Sequence, residues 1–286
     1  MINLKKSEVY ILHLYHDLMN LYGDWANVAV LTRLINVRGI KVYADRMSIG
    51  DRIDFDKYEF IYIGSGTERS QRACMRDLAR YAPVFVEKIE AGTHVLATGN
   101  SHELFGRAIT DADGERYEAL GLLDFETVQL DTRVTGDCVC KMAAPELAEA
   151  LPERFVGFIN RAGHGQVELG EVPRAFAVEF GPGASDEVLM DKMSINKNPC
   201  EEDTPVCNGD QPPAPGARLE GIVHKNLLGT YMTGPILVRN PALLRFYADR
   251  LCPGPYDTGI CRDPFFDYQE RAYSIALNGL TARVED

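Results

Sequence analysis

Short apolar runs alternate with amphipathic segments through the N-terminal third of the chain. The runs are rich in β-branched and aromatic residues and predict strands at residues 9–15, 41–44, 58–63 and 94–98. Between them, apolar residues recur at helical spacing and predict three helices, one after an N-cap at Asp24 and the others from Glu68 and Pro83. This alternation is typical of right-handed βαβ units. We therefore expect an α/β fold with a doubly wound, mostly parallel sheet and helices on both faces.

The first predicted helix has both a start signal and an apolar face. Asp24 is a suitable N-cap residue because its side chain can accept a hydrogen bond from the first turn. Four apolar residues follow at helical spacing: Trp25, Val28, Leu31 and Ile35. This stripe is typical of a helix that packs one face against a sheet.

The pattern changes after residue 124, where strand candidates become shorter and glycine-rich loops join them. Residues 124–130, 136–141, 155–159 and 175–180 predict an antiparallel extension of the sheet. Residues 193–218 are rich in Pro, Asn, Asp and Gly without periodicity, so we interpret them as an inserted loop. Residues 241–251 and 264–280 predict terminal helices, and residues 252–286 a helical C-terminal extension. We expect one domain over residues 1–286.

Composition and charge argue against nucleic-acid binding and against a membrane protein. The 286 residues are 45% hydrophobic and 25% charged, which is ordinary for a globular protein, and the net charge is −12. Because no basic patch offsets this charge, we predict neither a nucleic-acid partner nor an anionic membrane surface. No apolar segment approaches the roughly 18 residues needed to span a bilayer, and the first residues lack a signal-peptide core. We expect a cytoplasmic protein.

The seven cysteines fall into two groups. Three lie within predicted elements and are expected to be reduced and structural: Cys74, Cys138 and Cys140. Four form two loop pairs: Cys200 with Cys207, and Cys252 with Cys261. Free thiols, a four-thiolate zinc site and disulfides all stay open for these four, although their spacings of six and eight intervening residues are loose for zinc. We predict no metal ion and no cofactor.

Residues 94–106 predict a buried strand, a sharp turn and the opening of a helix. In α/β folds this arrangement, called an elbow here, presents the turn residue to backbone N–H groups and to the positive end of the helix. A nucleophile often occupies the turn, but this chain has Gly99 there. We expect Asn100 or Ser101 to cap the following helix. A second glycine turn at residues 64–66 lacks the lysine of a phosphate-binding loop.

Four separated stretches resemble one family, in its order and at its spacing: residues 18–24, 62–71, 95–106 and 221–237. They resemble the cobyric-acid-synthase-type (CobB/CobQ-like) class I glutamine amidotransferases. Within that family, the resemblance is strongest to the glutaminase subunit of lipid II isoglutaminyl synthase, which pairs with a Mur-ligase-like subunit. Residues 134–137 and 156–160 fit the same pattern. The resemblance implies a doubly wound α/β domain, in agreement with the periodicity.

The resemblance also implies a chemistry that this chain departs from. The family hydrolyses glutamine with a cysteine on the elbow and a histidine as its base, because a thiolate must attack the amide carbon. Gly99 occupies the cysteine position, and Thr233 occupies the histidine position in Gly229-Thr-Tyr-Met-Thr-Gly-Pro235. Arg161 is a third departure, in Asn160-Arg-Ala-Gly163. We therefore expect a catalytically silent member of the family that acts as a binding or scaffolding subunit, with a Mur-ligase-like partner.

Ligand-binding candidates cluster at the two glycine turns and at the third departure. For a small amide or amino-acid ligand they are Gly64, Ser65, Gly66, Gly99, Asn100, Ser101 and Arg161. The rival hypothesis is an active enzyme that uses the same cleft on glutamine or another small substrate, in cell-wall or cobalamin-type amidation. Ser101 beside His102, or a loop residue His164, would then carry the chemistry. Neighbouring side chains at a helix start diverge by roughly 100°, which disfavours the first pair.

Overall fold

The computed structural model describes residues 6–184, 218–254 and 263–285. Its strands are β1 Glu8–Leu14, β2 Lys41–Met47, β3 Phe60–Ile63, β4 His94–Thr98, β5 Ala108–Thr110, β6 Arg116–Glu118, β7 Phe125–Met142, β8 Arg154–Glu168, β9 Phe176–Phe180, β10 Leu219–Glu220, β11 Ile222–His224, β12 Leu227–Thr230 and β13 Met232–Thr233. Its α-helices are α1 Trp25–Val37, α2 Glu68–Leu78, α3 Ala82–Glu90, α4 Pro145–Ala148, α5 Ile236–Arg239, α6 Pro241–Leu251 and α7 Pro264–Glu285. Short 3₁₀ helices cover Phe55–Lys57, Ala79–Tyr81 and Gly99–Phe105.

The first sheet has six strands in the order β11-β12-β4-β3-β1-β2. Five of these strands run parallel, and only β11 is antiparallel to its neighbour. One face of the sheet packs against α1, α5 and α6, and the other packs against α2 and α3. The doubly wound parallel sheet predicted from the sequence is confirmed.

A second, largely antiparallel sheet joins β5 to β10, with β8 paired to both β7 and β13. The sequence predicts two separate strands in residues 124–141, whereas the structure has one 18-residue strand, β7. The register between β7 and β8 shifts between Gln129 and Arg133, so the intervening residues form a bulge. A bulge interrupts the alternation of side chains, which explains why the sequence pattern looked broken there.

The start of α1 differs from the prediction in two respects. Asp24 stands at the N-cap position but makes no side-chain capping bond, because its buried carboxylate accepts from the Tyr22 N–H and the hydroxyls of Tyr62 and Thr98. Trp25 does not join the buried stripe, since 53% of it is exposed. Val28, Leu31 and Ile35 are buried as predicted, so helical spacing identified the helix and its apolar face correctly except at Trp25.

The C-terminal segment packs on the second sheet. Helix α7 covers the predicted residues 264–280 and extends to Glu285, with Leu280 buried against Val139 and Val156. Cys74, Cys138 and Cys140 are buried thiols without a disulfide, and Cys252 is buried at the end of α6. Most of the predicted insertion, including Cys200 and Cys207, lies outside the described residues, as does Cys261. Within the described ranges, no helix is both long and apolar enough to cross a membrane.

Candidate functional site

The two glycine turns meet at the carboxyl edge of the parallel sheet. Strands β3 and β4 are adjacent and parallel, with Ile63 paired to Ala97. The loop that follows β3, residues 64–66, therefore lies beside the elbow that follows β4. The Gly66 N–H donates to Asn100 Oδ1 at 3.1 Å and connects the loop to the elbow.

Ser65 covers the turn residue of the elbow. Gly99 has a φ of +64°, in the left-handed region that favours glycine. A Cβ built on Gly99 would contact the Ser65 hydroxyl and would lie 2.7 Å from the Ser65 Cβ and 3.3 Å from its Cα. Rotation of the hydroxyl would relieve the first contact, but the Cβ cannot move without the backbone. The space that a side chain at position 99 would need is therefore occupied.

The flanking positions of the loop admit no side chain at all. A Cβ on Gly64 would lie 2.6 Å from the Asp24 Cβ, and one on Gly66 would lie 2.8 Å from the Leu18 carbonyl oxygen. Ser65 is thus the one residue of this turn that points toward the elbow. It is 1% exposed, and its hydroxyl donates weakly to the Thr98 carbonyl at 3.4 Å.

The elbow continues into a seven-residue 3₁₀ helix, and the predicted caps do not form. That 3₁₀ helix, Gly99–Phe105, has no side-chain cap. Asn100 instead accepts from the Gly66 N–H, and Ser101 is buried with its hydroxyl donating to the carbonyls of Ile63 and Thr98 at 3.0 and 2.9 Å. Both side chains connect the elbow to the neighbouring strand ends, a role that local sequence could not reveal.

Thr233 lies on β13 with its side chain turned to the second sheet. β13 pairs with β8, and the Thr233 hydroxyl donates to the Phe158 carbonyl at 2.9 Å. The residue is 3% exposed. A threonine hydroxyl bonded in this way cannot act as a base near neutral pH.

His102 is buried beneath the elbow as a neutral ring. Its Nδ1–H donates to the Gly99 carbonyl at 2.9 Å, and its Nε2 accepts from the Gln166 amide at 3.2 Å. Its ring packs edge-on against the Tyr231 ring, with the two ring centres 3.9 Å apart. Burial lowers the pKa of His102 to about 3, so the ring is uncharged at neutral pH. Both ring nitrogens are occupied, and neither contacts Ser101.

A buried carboxylate, Glu103, organises the polar groups behind the elbow. Its Oε2 accepts from the side-chain amides of Gln71 at 2.7 Å and Gln129 at 2.9 Å. Its Oε1 accepts from the Tyr231 hydroxyl at 2.9 Å. Burial raises the pKa of Glu103, while these donors oppose that shift. One signal for a buried role of Glu103 was missed: it directly precedes the apolar pair Leu104 and Phe105.

Removing the Tyr231 hydroxyl is expected to destabilise the fold. In Tyr231→Phe, the Glu103 carboxylate loses a donor in a fully buried site, and loss of a hydrogen bond to a charged group costs about 1.5–3 kcal/mol. Urea unfolding followed by circular dichroism measures this change. Tyr268→Phe is the matched control because Tyr268 is 65% exposed, and its unfolding curve should not move. Equal curves for all three proteins would contradict the assigned role.

Arg161 and Glu220 lie around the same polar cluster. The Arg161 guanidinium is 3% exposed, donates to the Gly183 carbonyl at 3.0 Å and lies 5.5 Å from the Tyr231 ring centre. Glu220 is fully buried and accepts from the Thr230 hydroxyl at 2.8 Å and from the Tyr231 N–H. Burial raises the pKa of Glu220 to about 7. The sequence predicted a role for Arg161 but missed Glu220.

The loop residue proposed as an alternative, His164, lies within β8 opposite Gln129. Its predicted loop position is wrong because β8 extends well beyond residues 155–159. Over residues 6–184, 218–254 and 263–285, no group of three or more His, Cys, Asp or Glu side chains is placed to hold a metal ion.

An elbow at the carboxyl edge of a doubly wound sheet, with a glycine loop beside it, agrees with the fold of the class I glutamine amidotransferases. A chain in the structure of PurLQS from Thermotoga maritima superposes with a TM-score of 0.50 at 12% identity. The match covers 86% of this chain and 97% of that one, and it concerns the fold alone. The chain belongs to the CobB/CobQ-like glutamine amidotransferase family, whose domain matches residues 10–241.

Two relatives carry a more specific description. The chain is 30% identical over 245 residues to the subunit GatD of lipid II isoglutaminyl synthase (glutamine-hydrolyzing) from Staphylococcus aureus, covering 86% of this chain and 85% of that protein. It is 28% identical over 234 residues to the protein of the same description from Streptococcus pneumoniae, covering 82% and 76%. The family resemblance inferred from the four sequence stretches is confirmed.

Proposed function

We propose that this protein is a glutamine amidotransferase-like subunit that does not hydrolyse glutamine and acts by binding or scaffolding. The observation that carries the proposal is the Ser65 side chain in the space beside Gly99. If only the nucleophile were missing, the space beside residue 99 would be empty and one substitution could restore a side chain there. A neighbouring side chain in that gap supports the proposal that the site has adapted to the absence of a nucleophile.

The chemistry of the remaining groups supports this proposal. Glutaminase action by this family needs a thiolate to attack the amide carbon and a base to move protons. Thr233 donates its hydroxyl to a backbone carbonyl, and the Ser101 hydroxyl donates to two others. The buried His102 is bonded through both ring nitrogens. No described group beside Gly99 is placed as a nucleophile with a base at hydrogen-bonding distance.

A partner subunit follows from the relatives rather than from the geometry. Both GatD proteins are described as subunits of a synthase, and the alignment spans most of this chain and most of each relative. We propose that this protein pairs with a Mur-ligase-like subunit and supplies structure or ligand binding to it. Affinity purification of the tagged chain from its native cell, followed by mass spectrometry, should recover such a ligase. Recovery of no ligase above an untagged control would contradict the partner.

The purified protein, alone and with any recovered partner, is expected to release no ammonia from glutamine above background. Coupled detection of ammonia and glutamate over several hours measures this, with the Staphylococcus aureus relative as the reference glutaminase. The matched control is Ser101→Ala, which should leave the background unchanged. Robust turnover that Ser101→Ala abolishes would overturn the proposal and favour the rival enzyme.

A further inference from the structure

Helix α7 carries apolar residues on two faces, and only one of these faces packs against the described part of the chain. On the inner face, Tyr273, Leu277 and Leu280 pack on the second sheet. The outer face is a line of exposed, uncharged residues: Tyr268, Ala272, Ile275, Gly279 and Ala282. A helix that is apolar on all sides normally has protein on all sides. The outer line is therefore the face on which a further contact is expected.

The outer line has the spacing of a coiled-coil seam. Its members follow each other in alternating steps of four and three residues from Tyr268 to Ala282, which keeps them on one side of the helix. Ile275 and Tyr268 are the two most exposed large apolar side chains among the described residues, at 73% and 65%. Exposed apolar side chains that lie together mark interaction surfaces. The spacing favours another helix as the occupant.

A groove of about 440 Å³ runs beside the outer line, between α7 and α5. Small residues of α7, including Ala272, Ala276 and Gly279, form one wall, and Val238 lies on the α5 side. A Cβ added at Gly279 would meet no atom within 4 Å, so the space over this residue is open. Ile275 protrudes at the edge of the same groove. One surface thus offers both a protruding side chain and a recess that admits one.

This surface is electrically balanced although the chain is strongly acidic. The groove is lined by one carboxylate and one guanidinium, Asp137 and Arg239, and otherwise by uncharged residues. Asp267 and Arg271, which are exposed on α7 beside the outer line, repeat the balance. Two copies with a net charge of −12 would repel each other through an average surface. A face with charges of both signs is complementary to itself on a two-fold axis, because residue i meets residue j and residue j meets residue i.

We propose that a second copy of this chain covers this surface, with the two α7 helices packed antiparallel across a two-fold axis. An axis level with Leu277, the middle of residues 272–282, places Ile275 of each copy over Gly279 of the other. Each protruding side chain then fills a recess, as close packing at an interface requires. The second copy is favoured over a different protein because one face supplies both halves of this contact and a matching charge balance.

The proposed contact lies outside the domain that defines the family. That domain matches residues 10–241, whereas α7 is Pro264–Glu285. Self-association through α7 therefore goes beyond the proposed function and does not depend on the state of the elbow. Dimerisation and ammonia release are separate measurements, so either proposal can fail alone.

Sedimentation velocity of the full chain tests the second copy. Between about 1 and about 100 μM, we expect a monomer–dimer equilibrium with a Kd on the order of 10 μM or tighter. Raising the NaCl concentration from about 0.05 M to about 0.5 M should tighten the dimer, because salt screens the repulsion between two acidic copies and leaves the apolar contact in place. A monomer over the whole range, or a dimer that dissociates at high salt, would overturn the proposal.

Gly279→Leu locates the contact. Leucine occupies the recess that Ile275 of the second copy needs, while its Cβ meets no atom of its own chain and leucine favours the helix over glycine. We expect the dimer to weaken at least about tenfold with the fold retained, as checked by circular dichroism. Ile275→Asp should weaken the dimer similarly, because it places a charge in an apolar contact. The matched controls are Ser274→Leu and Ser274→Asp, since Ser274 is exposed on α7 and does not line the groove.

The control variants should leave the dimer Kd unchanged. An unchanged Kd for Gly279→Leu, or equal weakening by the Ser274 variants, would overturn the proposed contact. A chain that stays monomeric, but whose recovered ligase binds less well to Gly279→Leu than to the parent, would assign the surface to the ligase and rule out the second copy.

Discussion

Gly99→Cys alone is expected to destabilise the protein without restoring glutaminase activity. The new Cβ would lie 2.7 Å from the Ser65 Cβ, closer than real Cβ atoms approach, and the φ of +64° is strained for any residue with a side chain. Overpacking a close-packed site costs about 1–3 kcal/mol, and a non-glycine residue in the left-handed region adds about 1–3 kcal/mol. Urea unfolding and an ammonia assay measure the two outcomes.

Ser65→Gly should relieve the steric part of this cost and leave the backbone part. We therefore expect the double variant, Ser65→Gly with Gly99→Cys, to be more stable than Gly99→Cys by about 1–3 kcal/mol. Ser65→Gly by itself is the matched control. It removes a weak hydrogen bond of 3.4 Å and a small side chain, so it should not stabilise the protein. If the Gly99→Cys variant were as stable as the parent, Ser65 would not occupy the space that a side chain at position 99 needs.

Adding Thr233→His to the double variant tests the second half of the site. If the family positions are assigned correctly, the thiol at 99 should react faster with iodoacetamide in the triple variant than in the double variant, because a nearby imidazole favours the thiolate. The pH dependence of this alkylation separates activation from simple exposure. If the double and triple variants showed equal alkylation rates and equal pH profiles, a histidine at position 233 would not lie close enough to the thiol at position 99 to favour its thiolate.

The order of strands and helices in the parallel half of the fold could be predicted because its signals are local. β4 follows the apolar run at residues 94–98, and Gly99 is recognisable from the strand and turn around it. The assignment of positions 99 and 233 to the family's cysteine and histidine stays a prediction, made from the matching stretches that flank both. The antiparallel half was less predictable. Its long strand β7 contains a bulge that breaks the period-two pattern.

Contacts between distant segments could not be predicted from the sequence. Ser65 is an ordinary turn residue until the parallel pairing of β3 and β4 places it against Gly99. Glu103 and Gln129 are 26 residues apart and meet only in the folded sheet. Asn100 and Ser101 are good helix caps by residue type, but neighbouring strand ends offer them other partners. Tertiary hydrogen bonds override local preference at these positions.

The contribution of Glu220 to the stability of this protein is expected to fall as the pH rises from about 4.5 to about 7. Burial raises the folded-state pKa of this carboxyl from 4.5 to about 7. A raised carboxyl pKa means that the folded state holds a proton which the unfolded state has already released. The stabilisation is therefore complete below the unfolded pKa and is lost as the pH passes through the folded pKa, a change of roughly 3 kcal/mol.

Glu220→Gln should remove this dependence because an amide does not titrate. The amide oxygen can still accept from the Tyr231 N–H, and the amide nitrogen can donate to the Thr230 hydroxyl in place of the present bond. We expect the variant to gain stability relative to the parent between pH 5 and pH 8, by roughly 3 kcal/mol over that interval.

The matched control is Glu146→Gln, because Glu146 is an exposed carboxyl on α4. Its stability should differ from that of the parent by a constant amount across the same pH range. The other buried groups, including the carboxyls of Glu103 and Asp24 and the histidines His13, His94 and His102, whose lowered pKa values act in the opposite direction, are present in every variant and cancel in the comparison. Parallel stability curves for Glu220→Gln and the parent would show that the charges of Arg161 and Arg174 keep the Glu220 pKa near its unfolded value.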